Sequence, residues 1–459
     1  MNKLSIEEIV NACNGRLICG DKSQLVQGFS RDSREIEKGD IYVGIRGENF
    51  DGNTYCVQAL ESGAMGCIVE ESYEGNINLE NIKDKNIIIV KDSIKALQDI
   101  ATYRRTQFNI PAVAVTGSVG KTSTKDIIAS CLAQKFNVLK TQGNKNNHIG
   151  LPLTILELKN QEMMVIEMGM NHFGEIRTLT NIVKPRVCVI TNVGTSHIGN
   201  LGSRENILKA KLEILEGMEP NGVVVVNNDN DLLHKWAEEN KEKYNILTFG
   251  IENPSDYTAY NIKENEEGIS YNIDINKCTY KITVPVSGKA FVYNSLSALA
   301  VGKTCGEETE LCIAGISEFE LTKKRMEIVK TNGMKIINDT YNASYDSMKA
   351  GLESLKNSEG QRKIAVLGDM LELGDFAQEL HEKVGEEVAK NNIDILITVG
   401  PNAKYIAQKA KELGTKQIKT CQNNEQAINH LKQTLTQGDT ILLKASNSMK
   451  FTEIFDAII

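Results

Sequence analysis

The stretch Ala112-Val113-Ala114-Val115-Thr116-Gly117-Ser118-Val119-Gly120-Lys121-Thr122 decides the fold of the region around it, and a helical run over 123–135 follows. Glycines allow a phosphate to approach the backbone closely, and a helix N-terminus offers N–H groups to it. Lys121 supplies a cation and Thr122 a hydroxyl for magnesium. The regular motif has a glycine where Val115 stands, so only its second half matches. The pattern predicts a strand, a phosphate loop and a helix that bind ATP or GTP; a chance GKT in an ordinary glycine turn is the alternative.

Short β-branched runs alternate with helical stretches on either side of this loop. They cover 163–167, 187–192 and 223–227. This alternation is typical of βα units whose parallel sheet is buried on both faces. The stretch 245–286 alternates more like antiparallel strands, and we expect a helix over 294–302 after it.

The chain has 459 residues, of which 41% are apolar, and it is too long for a single hydrophobic core. Before the phosphate loop, short strands at 40–45, 66–69 and 87–90 and a helix at 55–62 indicate a small α/β domain. After it, a further α/β series has strands at 335–338, 363–367, 395–399 and 440–443. We therefore predict an α/β protein of three domains: a small substrate-binding domain over 1–108, a central P-loop domain with a parallel sheet over 109–320, and a C-terminal Rossmann-like domain over 321–459.

The composition argues against several classes of protein. The net charge is −8, both signs are interspersed and there is no long basic run, so a large nucleic-acid-binding surface is not indicated. The first 20 residues read as a short amphipathic helix with charges inside it and no signal-peptide core, and no other stretch is apolar enough to span a bilayer. The ten cysteines form no CxxC pair and no zinc spacing. We expect a cytoplasmic protein with reduced thiols, without membrane insertion, and a monomer.

Three polar residues follow strands of the predicted central sheet. Glu167 ends one strand, Asn192 ends the next, and His197 lies in the loop after it. Ligands collect at the carboxyl ends of such strands, and a carboxylate beside a nucleotide suits magnesium. The imidazole is a weaker ligand for this ion, and an ordinary loop histidine is the alternative for His197.

Lys211 lies in a helical stretch on the side that carries the apolar residues. Its neighbours three and four positions away are Ile207, Leu208, Ile214 and Leu215. Lys209, by contrast, shares its face with polar residues. Either Lys211 snorkels to water, or it is held at a buried site with an altered charge.

The stretches 116–122, 143–147 and 192–197, together with Glu167, occur in the order found in the Mur ligases, and the chain resembles that family. The resemblance extends beyond the central domain. Asp32-Ser33-Arg34, followed by 38–43 and 51–52, is similar to the family's uridine-nucleotide domain. The stretch 368–374, with His381 after it, points to the members that add a dipeptide.

The resemblance implies a set of site residues. Lys121 would contact the phosphates, and Thr122, Glu167, His197 and a carbamylated Lys211 would bind magnesium. Asn294 would contact adenine, and Arg325 and Asp339 would lie near the phosphates and the ribose. The residues implied in substrate binding are Asp32, Ser33, Arg34, Asn144, Asn147, Asp369 and Glu372. Read singly, Asn294 is equally a helix cap, Asp339 a turn residue, and Asp369 and Glu372 solvated loop charges.

The chain departs from the family pattern at three places. His148 stands where an acid is frequent, and Ser344-Tyr345 replaces Asn-Pro. Asn447 replaces an arginine that would hold a carboxylate or a phosphate, and Lys444 or Lys450 would have to substitute for it.

The resemblance implies ATP- and magnesium-dependent ligation of D-alanyl-D-alanine to UDP-N-acetylmuramoyl tripeptide through an acyl phosphate, a step of peptidoglycan precursor synthesis. Two alternatives remain from the residues alone. A folylpolyglutamate synthetase-like or other amide ligase would explain the central domain equally well. A non-catalytic ATP-binding switch derived from a ligase would explain the departures from the motif.

Overall fold

The computed structural model describes residues 3–78, 82, 84–265 and 268–459, and four sheets organise them. Met1 and Asn2 of the predicted N-terminal helical stretch lie outside the described residues. The sheets fall inside the three predicted ranges: one in the first, two in the second and one in the third. The mixed α/β class is confirmed.

The N-terminal sheet has the strand order β1-β5-β4-β3-β2 and is parallel except for β1. Ser5 and Glu8 cap the first helix in a reciprocal capping box. The strands are β1 (Arg16–Cys19), β2 (Gly28–Ser30), β3 (Asp40–Val43), β4 (Gly66–Glu70) and β5 (Asn86–Val90), and the helices are α1 (Ile6–Ala12), α2 (Cys56–Glu61) and α3 (Ser93–Thr106).

The central sheet is parallel throughout and has the order β12-β11-β10-β9-β6-β8-β7. Alternate residues of β6 enter two separate apolar clusters, so helices cover both faces as the continuous β-branched runs predict. The strands are β6 (Ala112–Thr116), β7 (Val138–Lys140), β8 (Met163–Glu167), β9 (Val187–Ile190), β10 (Val223–Asn227), β11 (Asn245–Gly250) and β12 (Tyr257–Thr258). The helices are α4 (Lys121–Leu132), α5 (Gly150–Leu156), α6 (Glu175–Val183), α7 (Ile198–Leu201), α8 (Arg204–Leu212), α9 (Asp231–Asn240), α10 (Lys289–Thr304) and α11 (Thr309–Ser317).

Two predictions in the second half of this domain are corrected. The antiparallel interpretation of 245–286 is wrong for β11 and β12, which extend the parallel sheet at its edge. It is right for the three-stranded sheet of β13 (Tyr260–Asn265), β14 (Gly268–Ile275) and β15 (Cys278–Val284). β11 lies next to the edge strand β12 and is only partly buried over its first four residues, so it includes polar residues and lacks the continuous apolar run of the inner strands. Helix α10 begins at Lys289, five residues before the predicted start at 294, because Gly288 and not Asn294 precedes its first turn.

The C-terminal sheet has the order β16-β17-β21-β18-β19-β20, and only β16 is antiparallel. All four predicted strands of this region are confirmed. The strands are β16 (Glu327–Thr331), β17 (Met334–Asn338), β18 (Arg362–Gly368), β19 (Ile395–Val399), β20 (Gln417–Cys421) and β21 (Asp439–Lys444), and the helices are α12 (Tyr345–Asn357), α13 (Ala377–Lys390), α14 (Ala403–Glu412), α15 (Asn424–Thr434) and α16 (Thr452–Ile458).

The central and C-terminal domains meet along the loop that follows β9. Thr195 donates to Asp346 from both its backbone N–H and its hydroxyl, at 2.8 and 3.0 Å, and Gly199 N donates to the carbonyl of Glu372. These contacts close one end of a cleft at the carboxyl ends of the central strands. None of the helices in the described ranges combines the length and the apolarity needed to cross a membrane.

Candidate functional site

A cavity of about 740 Å³ lies in this cleft. One wall comes from the central domain: the phosphate loop, the loops after β8 and β9, and the start of α10. The other wall comes from the C-terminal domain: the segment before β16, the loop after β17, and one face of α12. In open α/β sheets this edge is where ligands bind.

The phosphate loop takes a conformation that only glycine allows at two positions. Gly117 and Gly120 have φ of 155° and 80°. A Cβ on Gly117 would lie 1.9 Å from Thr191 Oγ1, and one on Gly120 would lie 3.2 Å from Asn294 Oδ1. Val115, where the regular motif has glycine, is a fully buried strand residue and does not line the cavity. The departure from the motif therefore falls outside the loop that faces a ligand.

Lys121 begins α4 and its side chain folds back over the loop. Its Nζ donates to the carbonyls of Gly117, at 2.8 Å, and Ser118. Burial lowers the pKa of Lys121, Glu167 opposes the change, and Arg325 adds to it. Arg325 belongs to the opposite wall, so two cations from different domains lie near the same point. Such a point attracts a polyanion.

Thr122 and Glu167 provide adjacent oxygen atoms beside the loop. Thr122 Oγ1 donates to Glu167 Oε2 at 2.8 Å, and Asn146 Nδ2 donates to the other carboxylate oxygen at 2.7 Å. Glu167 is buried and lines the cavity. A hydroxyl next to a buried carboxylate fits magnesium, which prefers oxygen ligands.

Asn192 holds the phosphate loop in place. Its Oδ1 accepts hydrogen bonds from the backbone N–H groups of Ser118 and Val119, both at 3.0 Å. Thr116 Oγ1 donates to the carbonyl of Met168, which fixes the other end of the loop. Asn192 therefore fixes the conformation of the loop from the segment that follows β9.

Lys211 is 1% exposed, which confirms the predicted inward face and makes the snorkelling alternative wrong. Its Nζ has no hydrogen-bond or ion-pair partner in the described part of the chain. Burial lowers the pKa of Lys211 well below its ordinary value, and Lys121 adds to the shift. A lowered pKa favours the neutral amine, which is the nucleophilic form of lysine.

His197 lies at the cavity and contacts the other domain. It has a left-handed backbone with φ of 63°, and its Nδ1 is 2.7 Å from Glu372 Oε2. The predicted metal ligand and the predicted substrate residue are thus paired with each other across the domain boundary. Glu372 also has a positive φ, 62°. This pairing lowers the pKa of Glu372.

Within the described ranges, no group of three or more His, Cys, Asp and Glu side chains is arranged to hold a metal ion. The four predicted magnesium ligands do not form such a group, because only Glu167 and His197 among them are residues of these four kinds. Thr122 adds a hydroxyl and Lys211 an amine.

Asn294 lies in the second turn of α10 and lines the cavity, so the helix-cap interpretation is wrong. Its Oδ1 accepts a hydrogen bond from Thr124 Oγ1 at 3.0 Å. Thr124 is buried on α4, two residues after Thr122. The base-contacting candidate is therefore attached to the same helix as the phosphate-binding residues.

Arg325 extends from the C-terminal domain into the cavity. Its guanidinium lies 3.8 Å from the ring centroid of Tyr341, and its Nε is buried without a hydrogen-bond partner among the described residues. The neighbours Lys324 and Met326 both have left-handed backbones, with φ of 65° and 55°. A stacked guanidinium with free N–H groups suits a phosphate.

Asp339 follows β17 and also lines the cavity. One of its oxygens accepts from Met326 N, and the other is ion-paired with the buried Lys444, which also donates to the carbonyl of Asn342 at 3.0 Å. Both partners of Lys444 thus belong to this wall. Lys444 is not free to replace the arginine that Asn447 lacks.

The predicted substrate residues do not all lie at this cavity. Asn147 lines it and also caps α5, whereas Asn144 is outside it. Asp369 accepts from Asn402 N and Ala403 N and caps α14 from a buried position. The remaining set, Asp32, Ser33 and Arg34, lies in the N-terminal domain, where Arg34 donates to Asp32 at 2.6 Å and lowers the pKa of Asp32 to about 2.

Sequence reasoning missed several residues of the site. Tyr341 and Thr124 were not assigned to it, although Tyr341 lies two residues after Asp339 and Thr124 two residues after Thr122. Asp346 was also missed, because a carboxylate at the start of a helix is ordinary in any protein. Lys444 was named only as a substitute for the missing arginine, because no local signal indicates its ion pair with Asp339.

Comparison with known proteins gives one consistent result. The models described as "Mur ligase family, catalytic domain", "Mur ligase middle domain" and "Mur ligase, glutamate ligase domain" match residues 25–105, 115–302 and 324–447. The UDP-N-acetylmuramoyl-tripeptide–D-alanyl-D-alanine ligase of Bacillus subtilis is 36% identical over 100% of this chain and 99% of its own length.

Solved structures match over nearly their whole length, as two of them show. MurF from Acinetobacter baumannii is 28% identical, with a TM-score of 0.88 over 99% of this chain and 98% of that chain. The MurF ligase from Thermotoga maritima, in complex with ADP, is 29% identical, with a TM-score of 0.82 over 94% of this chain and 97% of that chain.

Proposed function

The chain belongs to the Mur ligase family, and we propose that it uses ATP to join D-alanyl-D-alanine to UDP-N-acetylmuramoyl tripeptide, a step of peptidoglycan precursor synthesis. One observation carries the chemistry: the phosphate loop of the central domain and Arg325 of the C-terminal domain face one cavity. The reaction needs this arrangement because a carboxylate must attack the γ-phosphoryl group of ATP. Attack brings anions together, and cations from both walls offset their repulsion.

The nucleotide would extend along the central wall. Residues 116–122 bind its phosphates, with Lys121 turning from the loop carbonyls to the phosphate oxygens. Asn294 contacts the adenine. Arg325 and Asp339 meet the phosphates and ribose from the opposite wall, so the nucleotide is held between two domains.

Magnesium would be held by Thr122 and Glu167, whose oxygens are already 2.8 Å apart. When bound, it would neutralise phosphate charge and orient the γ-phosphoryl group. A second ion would need His197 and a carbamylated Lys211. His197 would then exchange or share its present partner, Glu372.

The state of Lys211 supports the carbamate assignment. Carbamate formation joins the nitrogen of a neutral amine to the carbon of CO₂ and releases a proton. Burial lowers the pKa of Lys211 and so favours this neutral form. The product is an anion, which suits a position near Lys121 and a magnesium ion.

The acyl phosphate formed from the tripeptide carboxylate must be protected from water until the dipeptide amine attacks it. The Thr195–Asp346 and His197–Glu372 contacts join the two walls beside the cavity. Enclosure of this kind excludes water and aligns the reactants, and such alignment is worth roughly 7–11 kcal/mol in intramolecular models. The nucleophile belongs to the substrate, so the protein needs none of its own.

The N-terminal domain would bind the uridine nucleotide through Asp32, Ser33 and Arg34. The predicted assignments of Asn144 and Asn147 to the tripeptide, and of Asp369 and Glu372 to the dipeptide, extend this path across the molecule. Asp369 would act indirectly there, because its carboxylate caps α14. A cytoplasmic, monomeric enzyme is part of the same proposal.

The test is ATP-dependent phosphate release by the purified protein, with mass analysis of the product. UDP-N-acetylmuramoyl tripeptides that end in diaminopimelate or in lysine are each supplied with and without D-alanyl-D-alanine. We expect release that requires both substrates and yields the pentapeptide. Turnover only with a folate substrate would favour the folylpolyglutamate synthetase-like alternative, and ATP binding without any product would favour the switch.

Neither alternative is favoured by the similarities along the chain. The match to a dipeptide ligase includes the N-terminal domain, which the folate alternative leaves unexplained. The Ser344-Tyr345 departure, which motivated the switch, is accommodated structurally because Ser344 caps α12 through a capping box with Ser347.

A further inference from the structure

The linker over 318–326, between α11 and β16, joins the central and C-terminal domains, and a hydrogen bond attaches it to α4, the helix that follows the phosphate loop. Thr322 Oγ1 donates to Asp126 Oδ2 at 2.6 Å. Asp126 is 3% exposed and lies on α4, five residues after Lys121. Five helical residues span about 7.5 Å, so one rigid turn and a half separates the phosphate-binding lysine from the linker.

The carboxylate of Asp126 is held in place by several partners. Its Oδ1 is 2.9 Å from Lys125 Nζ and 2.8 Å from Lys140 Nζ, while Lys125 also donates to the carbonyl of Thr141. Burial by itself raises the pKa of Asp126, but the two lysines and the Thr322 hydroxyl outweigh it and lower that pKa. The carboxylate thus stays ionised, and Thr322 makes a charge-assisted hydrogen bond.

The linker leads directly to Arg325. Two residues lie between Thr322 and Arg325, and the residues on either side of Arg325, Lys324 and Met326, have positive φ. Strained backbone of this kind persists only where the surroundings fix it. After Arg325 the chain is fixed by Asp339, which accepts from Met326 N. Before Arg325 it is fixed by the Asp126–Thr322 contact.

We propose that Thr322, held by Asp126, is a positioning residue that directs Arg325 towards the nucleotide bound on α4. The proposal rests on the proposed role of Arg325 in the ligase reaction. Helix α4 would then position two cations at the phosphates. Lys121 lies on the helix itself, and Arg325 of the other domain is held to it through Thr322. Arg325 would therefore reach its position at the phosphates when the two domains close the cleft.

The test is a double-mutant cycle in the full-length protein. Thr322→Val removes the hydroxyl with little change in volume, and Thr322→Ser keeps it. Each is combined with wild-type Arg325 and with Arg325→Ala. The readouts are the Kd of a non-hydrolysable ATP analogue by calorimetry and the KM for ATP and kcat in the ligase assay.

We expect Thr322→Val to weaken analogue binding and lower kcat/KM for ATP about tenfold, and Thr322→Ser to stay within about twofold of wild type. In the Arg325→Ala background, Thr322→Val should have almost no further effect. An equal tenfold loss in both backgrounds, or no loss in either, would overturn the proposal. Failure of the proposed function is separate, because it appears as absence of product in the wild type, while the binding cycle still reports on Thr322.

Discussion

The two walls of the cleft are built in different ways. The central wall is assembled around one helix start, with Thr122, Glu167 and Asn192 hydrogen-bonded within a single domain. The C-terminal wall collects Arg325, Asp339 and Lys444 from separate stretches, and its position depends on a linker and on contacts between domains. We therefore expect substitutions in the preformed wall to lower kcat/KM for ATP more than substitutions in the docked wall, whose contribution depends on contacts between domains.

Substitution of Lys121 should have the largest effect. Lys121→Ala removes the cation of the central wall, and we expect kcat/KM for ATP to fall about 10²–10³-fold, as for loss of a main transition-state contact. Steady-state kinetics with saturating tripeptide and dipeptide measures it. Lys135→Ala is the matched control, since this exposed lysine lies just beyond the same helix. A similar loss in both variants would mean that the helix, and not the charge, was affected.

Lys211 tests whether the central wall needs a modified residue. We expect Lys211→Met to lower kcat about 100-fold, because the buried position would lose a magnesium ligand, and added bicarbonate should not restore activity. Lys209→Met, on the exposed face of α8, should retain activity. Near-normal turnover of the Lys211 variant would remove this residue from the site.

Arg325 tests the opposite wall. We expect Arg325→Ala to lower kcat/KM for ATP about tenfold or more, less than Lys121→Ala, because only one of two cations is lost. Arg325→Lys should not restore it, since an ammonium cannot stack on Tyr341 and donate in the same geometry. Lys323→Ala, an exposed neighbour in the linker, serves as the control. Equal losses for Arg325 and Lys121 would contradict the division between preformed and docked walls.

His381 should give the smallest effect, seen as a pH dependence of stability. Burial lowers the pKa of His381, whose Nε2 accepts from Met370 N at 3.0 Å. The unfolded state therefore binds more protons below its usual pKa near 6.5, and stability should fall as the pH drops below that value. Thermal unfolding of His381→Gln between pH 5 and 7 should show a flatter profile than wild type. An unchanged profile would exclude this histidine as the cause.

The parts of the molecule that were predictable from the sequence depend on contiguous residues. Strand, glycines, lysine and hydroxyl follow each other at 112–122, and periodicity alone predicted that Lys211 points inward, which its 1% exposure confirms. The strand β11 was mistaken because it lies next to the sheet edge, where the partly exposed positions hold Asn245 and Thr248 and interrupt the apolar run. The start of α10 was missed because Gly288 carries no strong local capping signal.

The remaining parts depend on contacts between distant stretches, which no local pattern encodes. The His197–Glu372 pair and the Thr322–Asp126 hydrogen bond each join residues that lie far apart in the chain. Sequence reasoning assigned His197 and Glu372 to separate sites, and it did not identify Thr322 at all. Such contacts follow from domain packing, and their energetic roles need the variants described above.

The most direct test of the account is to follow oxygen from the tripeptide into phosphate. The terminal carboxylate of UDP-N-acetylmuramoyl tripeptide is labelled with ¹⁸O, and phosphate released with ATP and D-alanyl-D-alanine is analysed by mass spectrometry. Attack on the γ-phosphoryl group and later displacement by the amine predict one ¹⁸O in each released phosphate, together with pentapeptide. Unlabelled phosphate would mean that water, and not the carboxylate, attacks ATP in this cleft, and would contradict the ligase mechanism.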